Sequence, residues 1–288
     1  MKKLFTAVTV LLLASLSAYA QDASNPHAHH LMEANTFNPP GQDWAKARVD
    51  KSPRHQEWVK VKQGSRNVNS FVVYPEVKTK ATAVIVIHEI FGMTDWVRSV
   101  ADQLAEAGYI AIAPDLLSGA GANGGGTEAV ADRSKIGQVI RDLPADQITA
   151  DLNAVADYVT KLPAANGKLV VMGFCYGGGQ TFRFATNREK LNAALAFYGT
   201  GPEDPASIAK IKAPVYGFYG GNDARVNATN PKSEELMKAA GKKYEPKIYE
   251  GAGHGFMRAG EDPANTVEAN KKAHDQAWVR VKEILKKL

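Results

Sequence analysis

The chain has 288 residues, 35 Lys and Arg against 30 Asp and Glu, a formal charge of +5 and one cysteine. No Lys/Arg stripe interleaved with aromatics accompanies that mild positive balance, so nucleic-acid binding is not indicated. A lone cysteine excludes an internal disulfide and would leave an unpaired thiol in an oxidising compartment.

Residues 1–20 read as a cleavable secretory signal. Lys2 and Lys3 form a basic start, residues 4–16 are largely apolar, and Ala18-Tyr19-Ala20 is a small-x-small cleavage site. The apolar core is too short for a comfortable membrane span, and no later segment matches it. The expectation is a periplasmic or secreted protein, cleaved after Ala20, carrying +3 and having no membrane attachment.

Residues 21–56 are polar and lack lasting periodicity, and read as a loosely structured arm. The arm holds His27, His29 and His30. A metal tract is one reading. A solvated tail is favoured, because no Cys or acidic cluster completes a site, so no metal is expected.

From Trp58 onward the pattern becomes that of a folded domain, taken as residues 57–288. Residues 58–63 and 67–74 alternate like paired strands around Gly64. Residues 83–87 form a continuous apolar run, as in a strand buried on both faces. Helical spacing follows over 95–107, then a strand over 109–113. A polar, glycine-rich stretch and helical segments fill 117–162. Further strands are expected at 169–173, 191–197, 215–219 and 244–249, with helices to about 186, over 233–240 and over 266–285. Strands alternating with helices predict an α/β fold with a mostly parallel sheet covered on both faces. Ligand sites in such sheets lie at the carboxyl ends of the strands.

The chemically suggestive residues fall at such ends. Val171-Met172-Gly173-Phe174-Cys175-Tyr176-Gly177-Gly178-Gly179 has the strand-turn-helix pattern of an α/β-hydrolase nucleophile, with Cys in place of Ser. The plain alternative is a small buried hydrophobe. Downstream, Asp223 follows Gly220-Gly221-Asn222, and His254 lies in Gly253-His254-Gly255-Phe256. The order Cys175, Asp223, His254 is nucleophile, acid, histidine. Taken alone, Asp223 could be an Asx turn or helix cap and His254 a polar loop residue. Tyr176, next after the nucleophile, supplies one oxyanion-hole N–H. His88 reads as a strand-end residue that packs or hydrogen-bonds near the site. The run from Gly119 to Gly126 lacks a Gly-Lys-Ser/Thr ending, so it is not read as a phosphate loop but as a flexible rim over the cleft.

Together with His88-Glu89-Ile90-Phe91-Gly92, Ala113-Pro114-Asp115-Leu116 and Gly221-Asn222-Asp223-Ala224-Arg225-Val226, these motifs make the chain resemble the dienelactone hydrolase (carboxymethylenebutenolidase) family. The resemblance spans nearly all residues after 57. It implies an α/β-hydrolase fold, a carboxylic ester hydrolase without cofactor, and a small ester or lactone substrate. It implies that Glu89 engages the Cys175 thiol and that substrate binding moves it. The alternative for Glu89 is a cap on the following helix. The resemblance also places the second oxyanion N–H at Ile90 and suggests that Arg258 meets a substrate carboxylate, the alternative being a surface arginine. A second substrate arginine is not aligned, and Arg133 and Arg141 are candidates only.

A thiolate is a good leaving group as well as a nucleophile. Turnover through an acyl-cysteine therefore favours enol-lactones, activated esters and thioesters over amides or alkyl esters. Two other readings stay open: a non-catalytic binding or stress-related protein on a hydrolase scaffold, and a thiol-redox protein. The second lacks a resolving cysteine and leaves Asp223 and His254 unexplained. The sequence carries no indication of oligomeric state.

Overall fold

A computed structural model describes residues 42–288. The expected signal segment and His27, His29 and His30 lie outside the described residues.

The elements run α1 (Asp43–Asp50), β1 (Gln56–Gln63), β2 (Arg66–Val73), β3 (Ala81–Ile87), α2 (Asp95–Glu106), β4 (Ile110–Pro114), α3 (Ile136–Asp142), α4 (Ala145–Thr160), β5 (Ala165–Phe174) and α5 (Tyr176–Ala185). They continue with β6 (Ala193–Phe197), α6 (Pro205–Ala209), β7 (Val215–Gly220), α7 (Ala224–Asn227), α8 (Asn230–Ala239), β8 (Tyr244–Tyr249), α9 (Phe256–Glu261) and α10 (Glu268–Lys286). The strands form one eight-stranded sheet in the order β1-β2-β4-β3-β5-β6-β7-β8. β1 and β2 pair antiparallel, as do β2 and β4, and every other neighbouring pair is parallel.

Two apolar layers explain the uninterrupted hydrophobic strands. All seven residues of β3 are buried. Val84 and Val86 pack in the layer under α1, α2, α9 and α10, while Ala83, Ile85 and Ile87 face the layer under α4, α5 and α8. Each such Val or Ile is worth about 1.5–3 kcal/mol of burial, which fixes the strand in the middle of the sheet. From β3 the chain crosses to β4 on one side and returns to β5 on the other. That reversal opens a crevice beyond the carboxyl ends of β3 and β5.

The expected arm differs from the structure at its C-terminal end. Residues 43–50 form α1, with Ala45 and Val49 buried against the domain. The Gln42 carboxamide oxygen accepts the Trp96 N–H at 2.7 Å, and Arg54 grips the buried Asp102 carboxylate with two bonds of 2.9 and 2.7 Å. Long-range packing, rather than local periodicity, makes this stretch helical. The folded unit therefore begins before residue 57.

Candidate active site

The strand β5 ends in a strained turn. Cys175 has φ 56° and ψ −115°, a conformation rare for a residue with a side chain. Its amide donates to the Phe197 carbonyl (3.0 Å), and its carbonyl accepts from Gly178 and Gly179 as α5 begins. The flanking glycines are steric requirements. A Cβ at Gly173 would lie 2.3 Å from the Gly177 carbonyl oxygen, and one at Gly177 would lie 2.4 Å from that of Ile87. The turn thus lifts Cys175 out of the sheet at the crevice, partly exposed. Tyr176 is the first residue of α5, so its N–H has no carbonyl one turn back.

His254 and Asp223 come to this turn from two other strand ends. Asp223 Oδ2 is 2.5 Å from His254 Nδ1. Its other oxygen, Oδ1, accepts from Val226 N–H at 3.3 Å and caps α7. Asp223 is thus both a helix cap and the partner of His254, with one oxygen for each. Burial works against charge on His254, but hydrogen bonds to Asp223 and Cys175, and the charges of both, outweigh it and push the imidazole up to about 10. Burial likewise opposes ionisation of Asp223, yet the His254 bond and charge hold its carboxyl below the ordinary value. With Nδ1 taken by Asp223, Nε2 is the nitrogen left for the thiol.

Glu89 and Ile90 follow β3. Thr94 caps α2, its hydroxyl accepting from Val97 N–H, so Glu89 has no capping role. Its buried carboxylate accepts from Arg258 Nε at 2.7 Å. The resemblance implies engagement of the thiol by Glu89 and of a substrate carboxylate by Arg258. In the structure the two side chains engage each other, and the Arg258 guanidinium also stands 5.3 Å from the Phe91 ring. His88 is fully buried, and burial lowers its pKa. Its Nδ1–H donates to the Glu89 carbonyl (2.7 Å), and Nε2 accepts from Leu116 N–H (3.2 Å). As expected, His88 is a strand-end tie. It braces the loop bearing Glu89 and Ile90.

Ile90, Cys175, Tyr176 and Tyr198 line a cleft of about 400 Å³. Arg141, Arg183 and Arg225 also line it, with no Asp or Glu among the lining residues. Arg141, one of the two unaligned candidates, therefore reaches the cleft, and Arg133 is not in its lining. Arg183 lies in a helix outside every motif, and Arg225, although part of the Gly221–Val226 motif, carries no cleft role that the motif alone records.

Tyr198 was also missed. It follows β6, has φ 38°, and is 1% exposed. Its ring meets the His254 imidazole edge-on at 5.0 Å. A signal was present in its position just after a strand end.

The glycine-rich segment is not a rim of this cleft. Ser118 to Ala129 border a separate groove with Lys60, Arg66 and Asn69. Asp115 causes this by holding Thr127 through its backbone N–H and hydroxyl, both at 2.7 Å. Among the described residues, no group of three or more His, Cys, Asp or Glu could hold a metal ion, and no helix is long and apolar enough to cross a membrane.

The arrangement suits acyl transfer: a cysteine raised on a strained turn, an imidazole oriented by a carboxylate, and the Tyr176 backbone amide at the start of α5. The chain is 31% identical over 252 residues to a protein from Saccharolobus solfataricus named as a carboxymethylenebutenolidase, covering 77% of this chain and 94% of the relative. A Salmonella typhimurium protein of the same name is 34% identical over 184 residues, covering 60% and 67%. A solved Klebsiella pneumoniae structure described as a dienelactone hydrolase superposes with a TM-score of 0.70 at 25% identity, covering 82% of this chain and 99% of that one. The model of the dienelactone hydrolase family matches residues 68–288. The chain is a hydrolase of ester or lactone bonds and belongs to the dienelactone hydrolase family.

Proposed function

We propose that the protein hydrolyses an enol-lactone, activated ester or thioester through an acyl-cysteine intermediate. The observation that carries this reading is the Asp223–His254 bond of 2.5 Å beside a cysteine held at φ 56°. An imidazole pushed up to about 10 keeps its proton at neutral pH and so presents a positive charge to the Cys175 sulfur.

The thiolate attacks the acyl carbon. The Tyr176 and Ile90 amides receive the developing oxyanion. When the intermediate collapses, the leaving oxygen or sulfur departs with the proton from His254, and the acyl group remains on Cys175. His254, now neutral, takes a proton from water, and the hydroxide attacks the thioester. Collapse releases the acid and returns Cys175 as thiolate beside protonated His254. Asp223 holds the imidazole in one tautomer throughout.

Three arginines and no carboxylate in the cleft lining support an acyl substrate that carries negative charge. Such a substrate also has a route to Glu89. A carboxylate that binds Arg258 competes for the guanidinium that Glu89 now holds. Freed, Glu89 stands near the triad as a further proton acceptor. Residues 1–20 are proposed as a cleaved export signal, so that the enzyme meets its substrate outside the cytoplasm. Its mature N-terminus would then be Gln21.

A panel of enol-lactones, aryl esters and thioesters assayed on wild type and Cys175→Ala tests the reading. Activity on at least one class should fall about 10³-fold or more in the variant. Undiminished turnover would overturn it.

A further inference from the structure

The helix α9 carries Arg258 and starts two residues after His254. It has six residues, and Gly255 at its N-cap (φ 74°) offers no side-chain cap. A helix this short and uncapped does not hold itself. At its far end Gly260 packs closely on α10, where a Cβ would lie 2.4 Å from the Asn270 carbonyl oxygen, and Glu261, whose side chain is 12% exposed, ties the helix to further elements.

Three elements converge on that carboxylate. From α2, Trp96 Nε1–H donates to Oε2 at 3.0 Å and Gln103 Nε2 to Oε1 at 2.8 Å. From α1, Arg48 stands 3.7 Å from Oε1. From α10, His274 Nε2 lies 3.9 Å from Oε2. The Trp96 ring in turn meets Phe174, the residue before Cys175, edge-on at 4.8 Å. Arg48 and all of α1 precede the family-matched residues 68–288.

We propose that Glu261 is a positioning residue that anchors α9 to α2 and to the N-terminal helix α1, and so keeps Arg258 aligned on Glu89 beside the nucleophile. Glu261 and Arg258 are three residues apart and share a helix face. Release of Glu261 lets α9 shift and moves the guanidinium with it. The consequence is kinetic as well as structural, because displacements of an ångström near a reacting group change rates strongly. The segment before the family-matched region thereby becomes a working part of the catalytic domain.

The inference rests on the proposed function only through turnover as one of its readouts. In the full chain, Glu261→Gln should lower kcat/KM for a carboxylated aryl ester about 10-fold. In a Glu89→Gln/Arg258→Met background the same change should matter less than about 2-fold, since its target is gone. Hydrogen exchange supplies a readout without turnover: amides of Met257 to Glu261 should exchange about 10-fold faster in Glu261→Gln, while those of β3 and β5 stay unchanged. Arg48→Met should act in the same direction and more weakly, and serves if Glu261→Gln does not fold. Equal losses in both backgrounds, or unaltered exchange in α9, would overturn the proposal. If Cys175→Ala retains activity while α9 exchange still responds, the acyl-cysteine reading fails and the anchor stands.

Discussion

Arg258 Nε donates to Glu89 Oε2 at 2.7 Å, joining α9 to the end of β3 across 169 positions of sequence. Glu89 is 3% and Arg258 15% exposed at the side chain, so the pair is largely out of water. Breaking such a pair from one side leaves a buried charge without compensation. Arg258→Met should therefore cost about 3 kcal/mol of stability in urea unfolding, and Glu89→Gln/Arg258→Met should recover most of it. A loss below about 1 kcal/mol in the single variant would show that the pair contributes little.

The titration of His254 is the second consequence. Its raised pKa means that the folded state holds this proton more tightly than the unfolded chain does. The stabilisation is fully present below the ordinary value of 6.5 and disappears as pH rises through about 10. Imidazole NMR should place the midpoint near 10 in wild type, and Asp223→Asn or Cys175→Ala should lower it. Urea midpoints should fall between pH 6.5 and 10 more steeply in wild type than in His254→Gln. A wild-type midpoint near 6.5 would contradict the charge arrangement proposed for the site.

The elbow glycines give a third. Gly177→Ala places a Cβ 2.4 Å from a backbone oxygen of β3, and no flexible side chain can yield there. A loss of about 3 kcal/mol or more, or failure to fold, is expected. Gly179→Ala, whose nearest neighbour would be 3.5 Å away, should fold with nearly unchanged stability. Comparable thermal midpoints for the two variants would mean that the turn is less crowded than described.

The cationic lining gives a fourth. Arg141→Met/Arg225→Met should reduce kcat/KM for a carboxylated aryl ester by about 10-fold and reduce the neutral analogue much less. The salt dependence of the anionic substrate should flatten in parallel. Equal losses on both esters would assign the two arginines to something other than substrate charge.

The sheet, and the convergence of Cys175, Asp223 and His254 on one turn, are legible in the sequence because both are written locally. Ala83 to Ile87 is a continuous, mostly β-branched apolar run, as in a strand with two buried faces. The glycine-flanked Cys175 forms a contiguous strand-turn-helix pattern, although Gly177 is required by Ile87 far away in sequence, and Asp223 and His254 lie in the short loops that follow β7 and β8. What the sequence hid depends on distant partners. Only Ala45 and Val49 are buried in α1, too few to impose a period on an eight-residue helix. The partner of Arg258 is 169 residues away. The glycine-rich segment reads as a rim in sequence, but Asp115 holds Thr127 from twelve residues away and the segment borders the groove with Arg66. Arg183 and Arg225 line the cleft through the placement of α5 and α7, and even the motif that contains Arg225 does not record that role.

The central claim is that the acyl group passes through Cys175. The most direct measurement is intact and peptide mass spectrometry of His254→Ala acid-quenched during reaction with an activated aryl ester. Without the imidazole to activate water, the account predicts an adduct of one acyl group, located on the peptide containing Cys175 and absent from Cys175→Ala/His254→Ala. Continued turnover by His254→Ala with no adduct on Cys175, or an adduct that persists after Cys175 is replaced, would contradict it.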